Sequence, residues 1–184
     1  MLEAACVGLV WWVAPDPPAP GLLPLLIAVP LGEFLVGRYR NRAAAALDTY
    51  DDPHAFRRDV HGLATVTIGA LVPPLVTGVA LGAAAYRLPY ALSTHPGART
   101  LVLGLAAGVL LGGLLAVTGL LAVCGRRLTA ALVTAAPLAA ALSAATPLAG
   151  AGSELPGTVG ALAVAYLLGL VAAAHAAFDT DRYR

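Results

Sequence analysis

Uninterrupted apolar runs of bilayer-spanning length constrain this chain more than any other feature. Residues 60–86 continue for 27 positions without Asp, Glu, Lys or Arg, and residues 100–125 do so for 26. The runs 128–153 and 155–178 follow, separated by Glu154. A fifth run, 21–37, has 17 residues and contains Glu33. A hydrocarbon core of ~30 Å is crossed by about 20 apolar residues in a helix. Because lipid offers no partner to the backbone, such segments fold as helices. The expected fold class is therefore all-α, a polytopic integral membrane helix bundle forming a single membrane domain over residues 1–184. Five full spans are expected near 21–37, 60–86, 100–125, 128–150 and 157–178, with a short N-terminal helix near 1–14 and a polar loop at 38–59.

Composition excludes the main alternatives. Apolar residues make up 59% of the chain and charged residues 11%. A water-facing surface uses roughly 25–35% charged side chains, so a soluble domain is disfavoured. High hydropathy with so little charge also excludes a disordered chain. The net charge of +1 comes with no basic run longer than two residues, which lacks the footprint that nucleic acid requires. Cys6 and Cys124 lie in separate apolar segments without a Cys-x-x-Cys pair, so neither a redox motif nor a zinc motif is expected.

Residues 1–14 leave two readings open. As a helix they reach only ~21 Å, short of a full crossing. Trp11 and Trp12 suit a membrane interface, and Pro15, Pro17, Pro18 and Pro20 force a turn after them. The segment either forms a hairpin with the next span, giving six spans if it crosses, or lies on the surface. No Arg or Lys precedes Arg38 to make the positive region of a signal peptide.

Arginine placement gives an orientation. If the five spans cross, Arg38, Arg40, Arg42, Arg57, Arg58, Arg126, Arg127, Arg182 and Arg184 lie on one side, against Arg87 and Arg99 on the other. The positive-inside rule then puts loop 38–59 and the C-terminus in the cytoplasm, with the plasma membrane as the expected location. Residues 38–50 can extend the preceding helix until Asp51, Asp52 and Pro53 end it. The acids at 48–52 read as a solvated helix end rather than a metal site.

Inside the spans, three features stand out. Gly104, Gly108 and Gly112 fall four residues apart, on one helix face where a neighbouring backbone can approach closely. Pro73 and Pro74 occupy the middle of a span and should leave carbonyls near residues 68–70 without helical partners. Such breaks build midplane sites in transporters, although Thr65, Thr67 and Thr77 are near enough to supply hydroxyl partners instead. The third feature is a set of polar residues, Glu33, His61, Cys124 and His175, which the expected topology puts at similar depth near the cytoplasmic side. Together a carboxylate, two imidazoles and a thiol are capable of binding a transition metal or haem, or of passing a proton. Equally, span ends are where isolated polar residues belong.

No catalytic motif is present: Gly-x-Ser-Gly, His-Glu-x-x-His and paired Asp-rich motifs are all missing from the sequence. The leading expectation is a small solute or ion permease, or the membrane subunit of a transporter. A structural or assembly partner of a membrane complex is the second, and a metal- or haem-binding membrane protein is the third. Expected partners are the lipid bilayer and a membrane protein or second copy; no cofactor is expected beyond the metal or haem of the third reading.

Overall fold

The computed structural model describes residues 23–49, 53–87, 96–144 and 154–178. Five helices account for nearly all of them: α1 (Leu23–Thr49), α2 (Pro53–Tyr86), α3 (Pro96–Val123), α4 (Arg127–Ala144) and α5 (Glu154–Phe178). No strand occurs among the described residues. The expected N-terminal helix at 1–14, with Cys6, and Arg182 and Arg184 lie outside the described residues.

Local sequence accounts for the helix boundaries. Pro53 and Pro96 open α2 and α3, where the missing N–H costs nothing and the fixed φ suits a first turn. At the end of α3, Gly125 adopts φ 76°, a left-handed conformation that favours glycine. The Arg126 N–H then donates to the Leu121 carbonyl at 2.9 Å and the Gly125 N–H to the Ala122 carbonyl at 3.1 Å, closing the helix. The Arg126 carbonyl accepts from the Ala130 N–H at 2.9 Å, so α4 starts at once. Segment 38–59, expected as a polar loop, belongs mostly to two helices. The run from Arg42 to Ala46 favours helix and no Gly or Pro interrupts it, so α1 continues to Thr49 before α2 opens at Pro53.

Helix α3 is the centre of the bundle. Its Leu110, Leu111, Leu114, Val117, Leu120 and Leu121 are fully buried, and a helix buried over most of its circumference must have neighbours on several sides. Those neighbours come close because small residues meet. A Cβ on Gly32 of α1 would stand 2.9 Å from the Ala116 Cβ, and a Cβ on Gly112 would collide with Ala28. Thus Gly112, the last of the spaced glycines, sits against α1; Gly108 is buried and Gly104 half-buried. On the remaining sides, Gly78 of α2 accommodates Leu110 and Gly113 accommodates Tyr166 of α5.

Three helical segments, His54–Tyr86, Gly97–Val123 and Gly157–Phe178, are long and apolar enough to cross a membrane. Large apolar side chains cover much of the outside: Ile27 and Phe34 on α1, Val66 and Val76 on α2, Leu128 and Leu132 on α4, and Leu168 and Val171 on α5 are all exposed. Patches of this extent are a liability in water and the ordinary surface in lipid.

Side-chain contacts define the two ends. Tyr39 of α1 lies beside Cys124 after α3, and His61 of α2 meets Phe178 of α5 edge-on with ring centroids 5.3 Å apart. Arg38, Arg40, Arg42, Arg58, Arg126 and Arg127 gather at this end. At the opposite end the Arg99 guanidinium lies 4.6 Å from the Tyr86 ring centroid.

The close approach of α1 to α3 yields a stability prediction. Gly112→Val should destabilise the bundle by about 1–3 kcal/mol through overpacking against Ala28. A Cβ on Gly160 meets nothing within 4 Å, so Gly160→Ala should instead be neutral or stabilise the α5 helix by up to about 1 kcal/mol. Thermal unfolding of the detergent-solubilised variants checks both.

Candidate functional site

Two places carry polar chemistry, one inside the bundle and one on its flank. The interior place lies beside the proline pair. Helix α2 runs unbroken through Pro73 and Pro74, whose missing N–H groups leave the carbonyls four residues back, those of Gly69 and Ala70, without their helical donors. The expected partners were threonine hydroxyls. One residue further on, the hydroxyl of Tyr166 on α5 donates to the carbonyl of Leu71, whose own helical donor is the Leu75 N–H and not a proline. Thr65 and Thr67 bond the carbonyls of His61 and Leu63, each at 2.8 Å and each upstream of the break, while Thr77 is exposed. A threonine hydroxyl in a helix reaches back one turn, which explains why neither serves residues 68–70.

Tyr166 is completely buried. It fits because Gly113 of α3 has no side chain: a Cβ there would run into the ring and hydroxyl of Tyr166. Leu71, Gly113 and Tyr166 thus tie α2, α3 and α5 together at the level of the proline pair. Pro73 faces the exterior and Pro74 is half-buried, while the Leu71 carbonyl faces Tyr166. Tyr166 was missed from sequence, although a lone tyrosine in the middle of an apolar span is a signal in itself. Its hydroxyl needs a partner at that depth, whereas most membrane tyrosines sit at interfaces.

On the flank, α1 and α3 leave a groove of about 510 Å³. Gly32, Gly37, Gly112, Ala116 and Gly119 form small-residue walls, with Glu33 inside the groove and Arg40 two helical turns further along α1. Glu33 is exposed, and among the described residues it makes no ion pair or hydrogen bond. Its depth differs from expectation. Tyr39 is level with Cys124, and Glu33 lies six residues further into the bundle, on the order of 9 Å along the helix. Glu33 therefore sits well below the level of Cys124 rather than beside it.

The other three polar residues occupy separate surroundings. Cys124 is in the turn one residue beyond the Gly97–Val123 segment. Burial pushes its thiol pKa above the ordinary value, opposed by the adjacent Tyr39 hydroxyl and by the charge of Arg126. His61 is partly buried against Phe178, with its Nε2 atom enclosed and without a hydrogen-bond partner among the described residues. His175 is exposed, one helical turn before Phe178. Among the described residues, no three His, Cys, Asp or Glu side chains come together in a group able to hold a metal ion.

No family model matches the chain, and no curated protein or solved structure matches it.

Proposed function

We propose that the chain is a multi-pass membrane subunit of a transport assembly, working through the flank groove at Glu33 rather than through a pore of its own. In this reading α1 and α4 cross the bilayer together with the three long apolar helices, giving five spans in the plasma membrane. The observation that carries the reading is a carboxylate without a partner in a small-residue groove open to the side. An ionisable group at such depth is costly in lipid, which points to an occupant that pairs with it or to a role in carrying a proton or cation. Small-residue walls are what a close-packed neighbouring helix requires.

A self-contained permease has less support, because Tyr166 and Leu110 fill the interior beside the proline pair. The collection of arginines at one end favours placing that end, with the 38–59 segment and the C-terminus, in the cytoplasm.

Reconstitution tests the reading. The purified chain in proteoliposomes should leave proton and K⁺ permeability at the level of protein-free vesicles. A flux carried by the chain alone and abolished by Glu33→Gln would instead make it a permease in its own right.

A further inference from the structure

A second cavity, of about 530 Å³, lies between α1 and α2 at the arginine-rich end. Its outer part is lined by Arg38 and Arg42 from α1 and by Arg58 and Asp59 from α2. Its inner part is lined by Leu35, Leu63 and Val66. We propose that this cleft binds an anionic phospholipid, with Arg38, Arg42 and Arg58 holding the headgroup phosphate and an acyl chain lying along Leu35, Leu63 and Val66.

The arrangement follows from helix geometry. Arg38 and Arg42 are four residues apart, so they project from one face of α1 toward the same cleft. Arg58 faces them from α2, and Asp59 offsets only one of the three positive charges. Among the described residues none of the three guanidiniums has an ion pair or hydrogen bond, and all are exposed, so their donors are available. A guanidinium presents paired N–H donors in a plane that matches phosphate oxygens. Gly62 leaves the floor open, since a Cβ there would meet nothing within 4 Å.

The change from charge to hydrocarbon along the cleft selects a lipid among phosphate-bearing ligands. Arg42 and Leu35 are seven residues apart, about 10 Å along α1, comparable to the step from a headgroup to the upper acyl chain. Val66 at the inner end is exposed on the flank of the bundle, so an acyl chain can leave the cleft into the surrounding bilayer. A free phosphate would use only the outer half. Basic clefts between membrane helices are a recurrent setting for anionic headgroups.

Native mass spectrometry of the purified full chain in detergent, titrated with dioleoyl phosphatidylglycerol or dioleoyl phosphatidylcholine, tests the site. The expected result is a one-to-one phosphatidylglycerol adduct with no equivalent phosphatidylcholine adduct. Losing a charge-assisted hydrogen bond at Arg42→Gln or Arg58→Gln should weaken binding by about tenfold or more. Arg127→Gln, at the same end but outside the cleft, should leave it unchanged. Arg58→Lys keeps the charge and should bind with intermediate strength, which separates loss of the site from loss of the fold. Equal weakening by Arg127→Gln and Arg58→Gln would overturn the site. Competition by millimolar inorganic phosphate as strong as that by the lipid would overturn its assignment to a lipid.

Discussion

Gly113→Val should lower the unfolding temperature of the detergent-solubilised protein more than any exposed substitution, because the new side chain falls on the buried ring of Tyr166. Overpacking of a filled core costs about 1–3 kcal/mol and sometimes more. Removing the ring has a comparable or larger effect: Tyr166→Ala leaves a cavity at the junction of three helices, worth about 3–5 kcal/mol. Tyr166→Phe keeps the ring and removes only the hydrogen bond to Leu71. A hydrogen bond between membrane helices contributes about 0.6–2 kcal/mol, so Phe should be the mildest of the three. The ordering therefore assigns most of the effect to ring packing and the smaller share to carbonyl satisfaction.

A double-mutant cycle sharpens this prediction. Combined with Tyr166→Leu, Gly113→Ala should cost less than it does alone, since the shorter side chain vacates the space that the new Cβ enters. Residues in direct contact commonly couple by about 0.5–3 kcal/mol. Additive effects would show that the two positions do not share that space.

The extent to which this arrangement was legible in sequence differs by level. Charge-free runs showed where helices lie, because the length of an apolar run is a property of one segment. Asp51, Asp52 and Pro53 marked the end of α1 for the same reason. Register between helices is a property of pairs, and one sequence does not contain it. Glu33 was placed by counting back from Arg38 as though the helix met an interface there. α1 continues to Thr49, and the level of Glu33 relative to α3 emerges only from the contacts of Gly32 with Ala116 and of Tyr39 with Cys124. The contact of Tyr166 with α2 was hidden on similar grounds. Thr65 and Thr67 are near in sequence, while Tyr166 lies 95 residues from Leu71. The polar residues His61, Cys124 and His175 were visible as residue types, but composition could not show that Phe178 and Tyr39 would be their neighbours.

The groove at Glu33 carries the second large prediction. If it receives another membrane-spanning chain, removing the carboxylate should abolish association while leaving the fold intact, since Glu33 is exposed and has no bonded partner among the described residues. Glu33→Leu should therefore unfold at or above the wild-type temperature, because in the proposed five-span arrangement it replaces an exposed carboxylate with a side chain compatible with lipid. Position 29 offers a direct probe: Val29 lines the groove, whereas Val164 lies on an exposed face of α5 and serves as a control.

The decisive measurement is photo-crosslinking in native membranes from benzoylphenylalanine placed at position 29 or at position 164, in chains with Glu33 or with Glu33→Leu. The expected result is one discrete heavier species from position 29, absent from position 164 and lost in Glu33→Leu, with its mass identifying a second copy or a different chain. No discrete species from position 29, or one that persists unchanged in Glu33→Leu, would contradict a membrane subunit that works through the Glu33 groove.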